Sequence, residues 1–241
     1  MARARTRGAA AGLALLLVAG CASGAASAAH TTTTPSTSTT SSSTTTTVGP
    51  TTSTTRPHPT RVVTVEPWIP FSQTGSVVLR LPSDHVEAVG YHQSNLDGAQ
   101  AQSPLPSSPR WFVMGDRARD TNPMGAADVV VEPGTPVRAP VSGTVLHGGS
   151  YTLYCKYTDD FLLIEPDSRP GWVVKLLHIQ GLEVAKGQRV EAGVTVVAAH
   201  AHVLPFASQV EDNTGVPAWP HVHIEVDDPS VPDRPGPPCS G

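Results

Sequence analysis

The stretch Pro220-His221-Val222-His223-Ile224-Glu225-Val226 sets the reading of this chain. It is rich in β-branched residues, and strand side chains alternate between faces with a period of two. His221 and His223 therefore project from one face of a strand. Two imidazoles side by side on a rigid backbone suit metal binding or proton transfer. Asp128 and His178, farther upstream, are the residues that would complete such a site.

The same punctuation continues through the chain after Thr60. Short β-branched or apolar runs, bounded by Gly and Pro, predict strands over 61–65, 76–81, 86–91, 128–131, 143–147, 161–165, 172–179, 194–198 and 222–226. No window holds a 3.6-residue period, and 24 prolines work against long helices. The expected class is all-β, a single compact barrel or sandwich over 61–227, followed by a Pro-rich tail over 228–241. Residues 84–120 carry the weakest pattern, and 100–110 reads as a loop. In that region Asp116, Arg117, Arg119 and Asp120 read either as recognition residues or as a solvated charged loop.

The N-terminal 60 residues carry a different message. Three arginines precede a short apolar run over 9–18 that ends in Val18-Ala19-Gly20-Cys21, a pattern resembling a lipoprotein signal peptide over 1–20 with lipidation at Cys21. The other reading is an ordinary signal peptide cut after Ala25 or Ala28. Residues 21–60 are almost wholly Thr, Ser and Pro and cannot bury enough apolar surface to offset ordering entropy, so they are expected to form a disordered tether. These features predict an extracytoplasmic domain, lipid-anchored to the outer face of a bacterial cytoplasmic membrane and reaching into the cell wall. Loss of Arg3, Arg5 and Arg7 with the leader takes the formal charge from −4 to −7, which argues against nucleic acid and against adsorption to anionic lipid. Cys155 and Cys239 remain. They either pair, closing a loop of about 85 residues worth about 4–5 kcal/mol in a chain-entropy account, or stay free.

Four short motifs occur in order. They are Gly134-Thr135-Pro136-Val137-x-Ala139-Pro140-x-x-Gly143, the pair Leu177-His178, Val184-x-x-Gly187-x-x-Val190-x-x-Gly193, and His221-x-His223. Residues 125–226 thereby resemble the lysostaphin/LytM-type peptidoglycan metalloendopeptidases (peptidase family M-twenty-three, the duplicated hybrid motif fold). The resemblance implies zinc as cofactor, with Asp128 and His223 as ligands and His178 and His221 as the histidines that orient water and stabilise an oxyanion. The family's remaining ligand is a His four residues before the Asp, and that position holds Met124. A thioether is a soft donor poorly matched to zinc, and a catalytic zinc needs three protein ligands. His92 is the candidate replacement, with His147, His200 and His202 as further options. Alternatively, Asp128 binds another metal in bidentate fashion with waters, or Asp128, His178, His221 and His223 form a hydrogen-bonded cluster without metal.

Met124 shapes the functional expectation. A domain degenerate in its first ligand motif is expected to be non-catalytic, binding peptidoglycan or regulating a cell-wall hydrolase through the old substrate groove. The alternatives are an active zinc endopeptidase with a replacement third ligand, and a structural or adhesive envelope lipoprotein.

Overall fold

A computed structural model describes residues 57–66 and 68–234. The predicted leader, Cys21, most of the tether and Cys239 lie outside the described residues. The folded part is built from strands, with one 3-10 helix at Gln209–Asn213.

The first three-stranded sheet holds β1 (Pro70–Thr74), β2 (Val77–Arg80) and β4 (Ser103–Pro104) in the order β2-β1-β4. The main sheet contains β3 (Val86–His92), β5 (Trp111–Val113), β6 (Ala126–Val131), β7 (Val137–Arg138), β8 (Gly143–Leu153), β9 (Tyr157–Pro166), β10 (Val173–Leu182), β11 (Arg189–Val190), β12 (Val196–Ala201) and β13 (His221–Asp227). Its order is β11-β8-β9-β10-β13-β6-β3-β5, with β12 branching from β10 and pairing with β7. The sheet is open, and every named pair is antiparallel except β3 with β5. The all-β expectation therefore holds, in the form of open sheets packed into one core.

Alternation explains where that core lies. Val129, Val131, Val222, Ile224, Val226, Val89 and Tyr91 point to one face of the central strands and pack with Phe71, Leu79, Leu162, Ile164 and Leu176. Burial of so many β-branched and aromatic side chains, each worth about 1.5–3 kcal/mol, holds β3, β6, β10 and β13 together as the rigid centre. The opposite face of β3, β6 and β13 is covered as well, by a smaller cluster of Met114, Val130 and Val210 with Phe112 and Trp219. Between those two apolar layers, on the second face, lie the polar side chains of interest.

Strand ends differ from the sequence reading for identifiable reasons. Residues 61–65 form no strand, only a bridge between Thr64 and Val86. β5 occupies the same edge of β3 along Val89–Tyr91, so little pairing length remains. Arg61 instead donates from Nε to Glu87 at 2.7 Å and from Nη2 to the carbonyl of Gly215, fastening the segment that leads into β13. The weakly patterned region contributes β4 and β5, both too short to leave a periodic signal. β8 and β9 run well beyond their predicted ends and are joined by three residues, Tyr154, Cys155 and Lys156, of which Tyr154 (φ 49°) and Cys155 (φ 58°) are left-handed. Cys155 is disulfide-bonded. Gly143 opens β8 where only glycine fits: a Cβ there would lie 2.1 Å from the backbone oxygen of Glu165.

Candidate metal centre

Register brings the polar residues together. Asp128 on β6 sits directly opposite His223 on β13 and, on its other side, opposite Gly90 on β3. His92 lies two residues beyond Gly90, on the same face and diagonal to Asp128, within reach of a long side chain. Gly90 leaves room for the covering layer, since a Cβ there would meet Val210 at 3.0 Å and Phe112 at 3.1 Å.

The result is a buried cluster of His92, Asp128 and His223 whose ligand atoms all lie within 4.8 Å of one another. Asp128 Oδ1 is 3.1 Å from His92 Nε2 and 2.8 Å from His223 Nδ1. Each ring is held from behind. His92 Nδ1 is 2.7 Å from the carbonyl oxygen of Gln93, and His223 Nε2 is 2.5 Å from Glu225 Oε1. A carbonyl or carboxylate can only accept, so the rear nitrogens carry the protons. The forward nitrogens of both rings are thus aimed at one carboxylate oxygen.

That arrangement has two stable solutions. Either the forward nitrogens are protonated and donate to Asp128, or a cation lies between lone pairs and carboxylate. Two imidazole nitrogens and one carboxylate oxygen are the donor types of a hydrolytic zinc site. At bond lengths of about 2.0–2.1 Å, tetrahedral ligands stand about 3.3 Å apart; the two forward nitrogens lie 3.1 and 2.8 Å from Asp128 Oδ1. The donor set fits zinc. Glu225 supplies the carboxylate behind a ligating histidine that such centres use, and is itself held by Ser94 Oγ at 2.7 Å.

Met124 does not take part. It packs from the edge of the main core, just before β6 begins, while its carbonyl accepts from the Gln102 backbone. The third side chain grouped with Asp128 and His223 is that of His92 on β3, the residue named as the candidate replacement for the ligand missing at Met124. Of the other options, His147 is exposed beside Phe161, and His200 bonds to the carbonyl of Ala201. Neither joins the cluster.

His178 and His221 stand next to it, with ring centroids 5.0 Å apart, and His178 is 5.8 Å from His223. His178 occupies a bulge in β10 and has a left-handed φ of 59°, an uncommon backbone state that turns its ring into the cleft. Its Nδ1 is 2.6 Å from Asp159 Oδ2. Asp159 also accepts from His202 Nδ1 at 2.9 Å, Tyr151 Oη at 2.7 Å and the backbone N–H of His178 at 3.2 Å. His202 is therefore a partner of Asp159, outside the ligand cluster.

Electrostatics separates the two central histidines. Burial pushes His221 down to about 3, despite the nearby Asp128 charge, so its ring stays neutral. Burial also opposes charge on His223, but Glu225 and the hydrogen bonds to Asp128 and Glu225 outweigh it and raise the group to about 9. Burial would raise Asp159, yet hydrogen bonds and charge from His178 and His202 bring it down to about 2, so it is ionised.

These shifts predict a pH dependence. Zinc must displace the proton on His223 Nδ1, so zinc affinity is expected to fall as pH is lowered from about 9, by up to about tenfold per pH unit for that one proton. Competition titration with a chromophoric chelator between pH 6 and 9, allowing for the chelator's own protonation, reads the slope directly. A flat profile would mean that His223 is not displaced.

The cluster opens into a cleft of about 280 Å³, lined also by Leu153, Tyr154, Leu177 and Leu204 and by Arg117 and Arg119. Fold and site together define an all-β domain with a buried two-histidine, one-carboxylate centre at the foot of a small cleft. Two solved structures are similar in part. One is a zinc-containing peptidase from Vibrio cholerae, 21% identical over 57% of this chain and 33% of that one, with a TM-score of 0.31. The other is a candidate M-twenty-three peptidase from Pseudomonas aeruginosa, 26% identical over 52% of this chain and 48% of that one, with a TM-score of 0.30. The chain thus spans a third to a half of their lengths. No protein-family model matches the sequence, and no curated protein matches it.

Proposed function

We propose that the domain is a zinc-dependent hydrolase of amide bonds in peptidoglycan peptides, held outside the cell by the lipid anchor at Cys21. One observation carries the reading: His92 Nε2 and His223 Nδ1 converge on the same oxygen of Asp128, each ring braced from behind. Zinc in a three-ligand site supplies Lewis acidity at its open position.

The chain's own residues would do the rest. His178, with Nδ1 committed to ionised Asp159, presents Nε2 to the cleft as the group that takes and returns a proton. His221 remains neutral and can donate one hydrogen bond to negative charge developing on the substrate oxygen.

A second reading keeps the cluster metal-free, because its hydrogen bonds also close without an ion. In that case the domain binds wall peptides without cutting them or acts on another wall hydrolase. The zinc content of the purified full chain, combined with mass analysis of peptidoglycan digests, separates the two. One zinc per chain and new amino termini are expected. A chain that excludes zinc at saturating concentration and leaves the wall polymer intact would sink the hydrolase reading.

A further inference from the structure

Arg117 and Arg119 border the same cleft as the metal-ligand cluster. The chain bends between them at Ala118, whose φ is 52°. Arg117 is positioned by Nε donating to Gln209 Oε1 at 2.6 Å and by its backbone N–H donating to Gln93 Oε1 at 2.8 Å. Its Nη2 stands 3.8 Å from Asp128 Oδ2, beyond hydrogen-bond length. Arg119 donates from Nη1 to the Gln93 carbonyl at 2.7 Å, the same oxygen that braces His92. Among the described residues, Arg119 has no carboxylate partner.

Two partly desolvated guanidiniums side by side are unfavourable, and of the pair only Arg117 makes an ion pair with a carboxylate among the described residues, with Asp128. Burial first, and then the charge of Arg117, pulls Arg119 down from its ordinary value, while Glu225 and Asp128 act against the shift. Zinc would add positive charge that Asp128 and Glu225 do not fully offset. With zinc bound, the pocket would be cationic in a chain whose formal net charge is −4. A planar fork of N–H donors matches a carboxylate in bidentate fashion. Arg117 Nη2 lies 3.8 Å from Asp128 Oδ2, so a carboxylate held by the arginines would sit next to the metal-ligand cluster.

We infer that Arg117 and Arg119 bind the free α-carboxylate of a peptide, so that the cleft takes the C-terminal end of its substrate and releases the last residue. The inference rests on the hydrolase reading above and narrows its substrate class. In the reaction, the C–N bond of the final amide breaks. Water supplies hydroxyl to the acyl carbon and a proton to the departing amine, and no other reactant is needed.

The test compares a peptidoglycan stem pentapeptide carrying a free C-terminal carboxylate with the same peptide as its carboxamide. Calorimetry with the metal-free full chain should show the acid binding at least about tenfold more tightly than the amide. Arg119→Gln should bring the two within about twofold, with thermal unfolding showing that the variant is folded. Mass analysis with the zinc-loaded chain should show loss of one terminal residue from the acid. Equal binding of acid and amide, or no binding of either, overturns the carboxylate site. If acid and amide are then cleaved equally, the hydrolase reading survives and only this inference falls. If zinc is excluded and neither is cleaved, the hydrolase reading has failed first.

Discussion

His92→Ala is expected to weaken zinc binding by at least about a hundredfold and to abolish hydrolysis with it. Loss of a residue that merely supports a ligand commonly costs 10–100-fold in affinity, and loss of a donor from a three-donor site costs more. The substitution removes Nε2, which lies 3.1 Å from Asp128 Oδ1, and leaves zinc with only Asp128 and His223. Chelator competition on the variant and the parent chain gives the ratio. Wild-type affinity in His92→Ala would show that the third donor lies elsewhere. Adding Met124→His to His92→Ala should restore little, because Met124 is packed along the main core rather than on the cleft. Recovery of tight zinc in that double variant would show instead that the strand end can shift to offer a ligand from position 124.

The second large effect falls on turnover and spares the metal. His178→Ala should lower kcat by about 10²–10⁴-fold, the usual worth of a positioned acid–base group, while zinc stoichiometry is unchanged. Asp159→Asn should act through the same ring. The carboxylate keeps the proton on His178 Nδ1, and an amide turned the other way would place it on Nε2. A fall in kcat with little change in KM is expected for both. If zinc leaves along with activity, His178 is part of the binding set and the division of roles is wrong. Asp159 also carries an acid signature. Its folded pKa, about 2, lies below the ordinary 3.8, so its contribution to stability is complete above pH 4 and is lost as pH falls through 2. Acid unfolding of Asp159→Asn should lack that component.

Much of the ligand set was legible because strand alternation is a local rule. His221 and His223 share a face in any extended backbone, and they pair here with Val130 and Asp128. Glu225 continues the same alternation and could have been read as the brace behind His223 from its place two residues on. Asp159 and Tyr151 left no such mark. Asp159 sits on β9 where β10 bulges at His178, and no spacing within either strand predicts that meeting. His92 was named as the favoured replacement for the missing ligand, with nothing in the sequence to place it beside Asp128.

The boundary between what the chain alone determined and what the tertiary structure decided follows the range of the forces involved. Residue type and spacing determined an all-β domain and the shared face of His221 and His223, since these depend on backbone sterics and alternation over a few residues, while the grouping of Asp128 and His178 with them was implied by the family resemblance. The tertiary structure decided which histidine completes the cluster. His92 is 36 residues from Asp128 along the chain, and they meet only because β3 pairs with β6 in a register that puts Gly90 opposite Asp128. That register is chosen by burial of Val89 and Tyr91 in the common core, a sum over many distant contacts that no short stretch of sequence displays.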